Sequence, residues 1–283
     1  MLWSINMACQ IPKKLVICVT AHFGTERMPY LTQIADEFAS LGDSVFVHVF
    51  TNTDHEHELE QLRLCLQDKG FAFQVHTIVG LGHPYLLTWS HFAVVSAIIS
   101  HDVSVTHFLY VEDDILIKRK NVVYWIENEK LLRSAGFIPS FLRVEHKEEN
   151  NSIWYSTDCT RVYKLSNIPK ICIDGKKRYF INLPTPYQGM YLLNRELMLE
   201  YLLSPTHNPD VGSWGIREKA AQGITFTNVP AGFTSRNLVP FDVDSIDKIN
   251  PDCLIHHLPN NYANNPITSF GKISLCNLIN VDE

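Results

Sequence analysis

The feature that most limits the fold is a rhythm. Across residues 14–117, short β-branched runs alternate with stretches of helical period. "KLVICVTAHFG" (14–24), "SVFVHVFTN" (44–52), "FAFQVHTIVG" (71–80) and "THFLYVEDDILI" (106–117) read as strands. Between them, "RMPYLTQIADEFASLG" carries Leu31, Ile34, Ala35, Phe38 and Leu41 at helical spacing and stops at Gly42. "HELEQLRLCLQDKG" (57–70) and the long apolar "PYLLTWSHFAVVSAIISHD" (84–102) continue the alternation as helices. Strands joined through helices of this length pair in parallel, which predicts an α/β fold: an open twisted sheet with helices on both faces. Ligands on such sheets bind outside the carboxyl ends of the strands.

After residue 140 the rhythm changes. "RVEHKEENNSIWYSTD" and "NIPKICIDGKKRYFINLPTPYQGMYLL" predict shorter, antiparallel strands, followed by a helix over "NRELMLEYLL" (194–203). A loop, "SPTHNPDVGSWG", opens into a short helix, "IREKAAQG", and the tail "HHLPNNYANNPITSFGK" is irregular in pattern. With no repeat, low-complexity tract or linker, the expectation is one domain over 1–283. Its first half (14–120) is mainly parallel, its second (121–260) is smaller and antiparallel, and 261–283 form a C-terminal tail.

Composition excludes several classes. Twenty-four Lys and Arg against 30 Asp and Glu give a net charge of −6, so no general nucleic-acid footprint is present. Seven scattered cysteines (Cys9, Cys18, Cys65, Cys159, Cys172, Cys253, Cys276) without any CxxC read as thiols of a reducing compartment. The N-terminal "MLWSINMACQIPKKLVICVTAHFG" lacks the order of a secretion signal, and no apolar segment is long enough to span a bilayer. The expected location is cytoplasmic, with any lipid-linked substrate met peripherally at a membrane. No GxGxxG, P-loop or GxSxG pattern is present.

The row Glu112-Asp113-Asp114 lies just beyond the carboxyl end of "HFLYV". Adjacent carboxylates repel, and buried ones are costly unless paired or bound to metal. Two readings stand side by side: a solvated turn, or a site for a hard cation such as Mg2+ or Mn2+, which takes oxygen ligands and leaves positions for substrate phosphates. In extended backbone, Glu112 and Asp114 would share one face and Asp113 the other.

"YVEDDILI" resembles the DXD-type signature of GT-A fold glycosyltransferases, whose EDD form follows an apolar strand. The resemblance implies Asp114 as ligand of Mn2+ or Mg2+ carried on a nucleotide-sugar diphosphate, with Glu112 and Asp113 toward the ribose or donor sugar. Three further stretches follow in that superfamily's order. "PYQGMYLL" (186–193) looks like the strand beside donor and acceptor, with Gly189 at the close approach. "SWGIREKAAQG" (213–223) is similar to the segment carrying the catalytic base of inverting members, written WGxED. Laying Trp214-Gly215 on its WG puts Arg217 where an acid is common and Glu218 at the final acid. Asp210 is the substitute base. "LIHHLP" (254–259) looks like the histidine that completes the metal shell; adjacent strand residues face opposite ways, so one of His256 and His257 would serve.

Other positions have nearer alternatives. Asp54, His55, Glu56 and His57 resemble a metal cluster but read as a loop and the acidic first turn of a helix. Thr20, Asn52 and Asp54 follow strands where GT-A proteins contact the nucleoside. Arg236 and Lys272 lie in late loops that would close over the donor's phosphates, whereas Lys118, Arg119 and Lys120 read as a solvent-facing helix entry. Trp89 reads as core and Trp214 as a platform for the acceptor. The expected activity is metal-dependent transfer of a sugar from a nucleotide-sugar donor to a hydroxyl acceptor, a glycan or glycolipid, inverting if Glu218 is the base. The alternatives are a retaining transferase, a sugar nucleotidyltransferase, and a non-catalytic nucleotide- or carbohydrate-binding module.

Overall fold

A computed structural model describes residues 11–173, 178–185 and 187–281. The first half is the expected alternation: β1 (Leu15–Ala21), α1 (Met28–Phe38), β2 (Val45–Thr51), α2 (Glu56–Leu66), β3 (Ala72–Thr77), α3 (His91–His101) and β4 (His107–Glu112). β4, β1, β2 and β3 lie side by side, all parallel. Their burial follows that order. Every residue of β1 is buried, as befits a central strand covered on both faces, while β3 at the edge alternates exposed and half-buried residues and buries none fully. The long helix expected over 84–102 is broken at Ser90, where a 3-10 turn over Pro84–Trp89 hands over to α3.

The strand expected over 106–117 also breaks. β4 ends at Glu112, Asp113 and Asp114 form a turn, and a two-residue strand, β5 (Ile115–Leu116), leaves in a different sheet. α4 (Arg119–Arg133) then begins beyond Lys118.

The second half runs β6 (Ile138–Pro139), β7 (Leu142–Lys147), β8 (Asn150–Ser156), β9 (Tyr163–Lys164), β10 (Lys170–Cys172), β11 (Arg178–Ile181) and β12 (Met190–Asn194). There follow α5 (Arg195–Leu203), α6 (Ile216–Gln222), β13 (Asn237–Asp242), β14 (Leu254–His257), α7 (Asn261–Asn264), β15 (Ile273–Ser274), α8 (Leu275–Leu278) and β16 (Ile279–Asn280). β12 returns to the first sheet, antiparallel to β4. The remaining strands do not form one antiparallel region. They divide into mixed sheets, β10-β11-β13-β6 and β15-β8-β7-β14-β5, in which β13 pairs β6 and β14 pairs β7 in parallel, and a parallel pair, β16-β9.

One apolar cluster extends from Leu15 to Ile279 and so joins both halves. Cys18, Cys65, Cys159, Cys253 and Cys276 are thiols; Cys9 lies outside the described residues. Among the described residues no helix is long and apolar enough to cross a membrane.

Candidate active site

The acid row is held where three pieces of backbone meet. Glu112 N–H donates to Gly189 O (3.0 Å), Asp113 N–H to Thr20 O (3.2 Å), and Leu258 N–H to Asp114 O (2.9 Å). β1, β12 and β14 thus fix the turn at the carboxyl end of the parallel sheet, the position the topology favours for a ligand. The turn also overturns the alternation expected for extended backbone: Asp113 and Asp114 are brought together on one cation, and Glu112 has different partners.

That cation is Arg27, at the end of a 3-10 turn (Thr25–Arg27) after β1. Its Nε donates to Asp113 Oδ2 (2.9 Å), while Nη2 donates to Asp113 Oδ1 and reaches Asp114 Oδ2 (3.0 Å). Asp113 is 1% exposed. Burial pushes its carboxyl up to about 7, against the opposing Arg27 hydrogen bond and with added repulsion from Asp114.

Asp114 moves the other way. Burial would raise it, but the His257 imidazole beside it, then Arg27 and Arg143, hold it at about 2. His257 Nε2 lies 3.5 Å from Asp114 Oδ2, and His257 Nδ1 bonds Glu145 Oε1 at 2.5 Å. Burial disfavours the imidazolium, yet contact with Asp114 and Glu145 leaves the His257 pKa raised. Glu145 is wholly buried, and its other oxygen accepts from Ala263 N–H (2.6 Å). Below the row, Arg143 is itself buried and forks onto Asp158 through Nε (3.1 Å) and Nη2 (2.6 Å).

Among the described residues, Asp114 Oδ1 is buried with no hydrogen-bond partner. A buried carboxylate oxygen without a partner is costly, and a bound cation is one way to satisfy it. An oxygen from Asp114 and a nitrogen from His257 suit Mn2+ or Mg2+, and a carboxylate behind the histidine is the usual way such a ligand is oriented. Among the described residues no three His, Cys, Asp or Glu side chains form a set that would hold a metal by themselves. The pair fits a cation whose other ligands come from phosphate and water.

Glu112 faces a softer environment. Its Oε1 accepts from the Tyr187 hydroxyl (2.6 Å) and lies 3.8 Å from Arg217 Nε. Burial raises its pKa, Arg217 lowers it and Asp114 raises it, leaving a net increase. Arg217 lies near two rings, 5.6 Å from the centroid of Tyr85 and 5.8 Å from that of Tyr187, and reaches Glu218 Oε1 at 3.4 Å. Gly189 has φ +68°, and a Cβ there would meet Ile115 Cγ1 at 3.1 Å and Glu112 Oε2 at 3.4 Å. Left-handed backbone beside a carboxylate requires glycine at this position.

The remaining expected residues divide. Glu218 sits in the first turn of α6, joined to the row through Arg217, with its carboxylate folded toward Gly215 at the helix start. Asp210 is exposed on the preceding loop, its N–H donating to Asn208 Oδ1, and no contact among the described residues links it to the row. Thr20 is buried beside β4 and contributes its carbonyl; Asn52 is exposed and ties two loops together by accepting from Phe23 N–H (2.9 Å). Asp54 faces solvent with His55.

Three expectations are corrected. Arg236 does not turn to a donor site: buried, it donates to Gly136 O (2.8 Å) and Glu200 Oε1 (2.7 Å). Lys272 spends its ammonium on the carbonyls of Tyr262, Ala263 and Asn265. His256 faces away from Asp114, bonding Asn260 Oδ1 (2.9 Å) and packing on Trp154, so His257 is the histidine at the row.

Arg27, Tyr187, Arg143, Glu145 and Asp158 were not among the expected residues. Two of them carried a signal: Arg143 and Glu145 stand two apart inside the apolar "FLRVEH", which puts two charges on one face of a buried strand.

No family model matches the chain, and neither does any curated protein. Among solved structures it is similar to a mannosyltransferase, PcManGT from Pyrobaculum calidifontis, in complex with GDP-Man and Mn2+. Identity is 13%, the match covers 88% of this chain and 57% of that one, and the TM-score is 0.43. The chain thus spans little more than half of that protein's length, and the chemistry of the site rests on its own residues.

Proposed function

We propose that the chain transfers a sugar from a nucleotide-sugar donor to a hydroxyl acceptor with the help of a divalent cation. One observation carries this reading: the unpartnered, buried Asp114 Oδ1 beside His257, itself oriented by Glu145, at the carboxyl end of β4. Asp114 and His257 would hold Mn2+ or Mg2+, and when bound the cation offsets negative charge growing on the diphosphate leaving group. Arg143, locked onto Asp158, keeps a fixed positive charge beneath the acids. Glu112, braced by Tyr187, turns a carboxylate toward donor hydroxyls, and Gly189 leaves room for that carboxylate and for Ile115. The half over 14–120 would bind the donor, and the half over 121–260 the acceptor, with Trp214 as a stacking surface for a glycan or glycolipid.

In the inverting version Glu218 takes the acceptor's proton; Arg217 places it beside Glu112. A retaining course is favoured by one observation, the folding of Glu218 back over its own helix start, where it stabilises the turn. Product anomeric configuration by NMR separates the two. The broader reading is tested by thermal shift with nucleoside diphosphates and nucleotide sugars, with and without Mn2+. A ligand at about 100 times its Kd stabilises by about 2.7 kcal/mol. If no nucleotide gives metal-dependent stabilisation, the proposal fails.

A further inference from the structure

We propose that Arg27 competes with a divalent cation for Asp114, and that the displaced guanidinium is handed to the diphosphate of the incoming nucleotide. The inference rests on the reading of Asp114 as a metal ligand.

The geometry separates Arg27 from the other arginine beneath the row. Arg143 is 4% exposed and held by both oxygens of Asp158, so it has nowhere to go. The Arg27 side chain is 31% exposed, on a three-residue turn whose start has no side-chain cap. Its guanidinium spans two carboxylates at once, and the oxygen it takes from Asp114, Oδ2, is the one that faces His257. A divalent ion on that carboxylate and a guanidinium 3.0 Å from it repel each other across a poorly solvated site. One must yield. Asp113 stays as an anchor on the Arg27 side, so the guanidinium can release Asp114 without leaving the site. A phosphate brought in with the cation is the partner its planar fork suits best.

Competition and handover make opposite demands, and that gives the test. Binding of Mn2+ alone, and of UDP and GDP at saturating Mn2+, is measured by calorimetry on the wild type, Arg27→Gln and Arg27→Lys. Without the competitor, Mn2+ alone binds Arg27→Gln at least about threefold tighter, because attraction between the acids and the ion is no longer offset. The nucleoside diphosphate binds at least about tenfold weaker, since a charge-assisted phosphate contact is lost. Arg27→Lys keeps a charge against Asp113 should the neutral variant fail to fold. Its ammonium lacks the planar fork that spans the two carboxylates, so both effects keep their sign at smaller size. If Mn2+ affinity is unchanged or weaker in the variants the competition is overturned, and if nucleotide affinity is unchanged the handover is, while the metal site stands in either case. If the wild type binds neither Mn2+ nor either nucleotide, the parent reading falls with it.

Discussion

The two ends of the acid row are built on different terms. At Asp114 the partners other than Arg27 are themselves fixed: His257 is pinned by Glu145, Glu145 by the Ala263 N–H, and Arg143 by Asp158. At Glu112 a buried tyrosine hydroxyl is joined by an adjustable partner, an arginine whose side chain is 34% exposed near two tyrosine rings. A rigid pair of donors with one unpartnered oxygen suits an ion, whose coordination distances vary little. A carboxylate beside an adjustable arginine suits hydroxyls of a substrate that must enter and leave. Three adjacent acids therefore need not share one task.

The largest break in this comparison comes from Asp114→Asn. On the proposed reading it neutralises a direct ligand, and losses for groups one step further from a metal are already about 10- to 100-fold, so Mn2+ affinity should fall by more than about 100-fold. Mn2+ titration followed by electron paramagnetic resonance reads this directly. An unchanged affinity would place the ion elsewhere. Glu145→Gln tests whether the rigidity matters: the side chain keeps its shape but loses the charge that orients His257, and Mn2+ affinity should drop about 10- to 100-fold. The matching change at the other end, Tyr187→Phe, should leave Mn2+ binding alone.

Asp113 and Asp114 should also differ in their response to pH. Asp113 has its folded pKa raised from 3.8 to about 7. The folded state therefore binds a proton that the unfolded state has released, and stability falls as pH rises through that window. Asp114, lowered to about 2, contributes stability present above about pH 4 and lost as pH falls toward 2. Asp113→Asn removes the first effect. Its stability relative to wild type should grow between about pH 4 and 7, by on the order of a few kcal/mol. Urea midpoints measured without added metal check this; parallel curves for the two proteins would mean Asp113 is not strained by burial.

Much of this was legible in the chain, because burial leaves a pattern. β1, β2 and β4 show as continuous apolar runs, and the row's place at a strand end follows from the alternation of strands and helices. Gly189 stands out through the resemblance of "PYQGMYLL", and its φ of +68° is a backbone that favours glycine. The partners of the row could not be found in this way. Glu145 meets His257, and Arg143 comes near Asp114, only because β7 pairs in parallel with β14, in a register that sets Arg143 against Ile255 and Val144 against His256. No local pattern encodes a register between strands that far apart. For the same reason Arg236 and Lys272 looked available: a basic residue in a late loop reads as free until the carbonyls that claim it are known.

The smallest effect is expected at His256, and it is the most exacting check on the register. His256 and His257 are adjacent, of one residue type and on one strand, so everything but the face they occupy is held constant. His256 pairs opposite Leu116 and bonds Asn260, while His257 pairs opposite Ile115 and reaches Asp114. The amide of His256→Gln can still meet Asn260, so the cost to stability should stay near that of one neutral hydrogen bond, about 1 kcal/mol or less. Mn2+ affinity should stay unchanged, whereas His257→Gln should weaken it severalfold or more. The reverse pattern would mean that β14 is shifted by one residue, since such a slip exchanges the two faces. His256 would then be the ligand, and the Glu145 contact would belong to the wrong histidine.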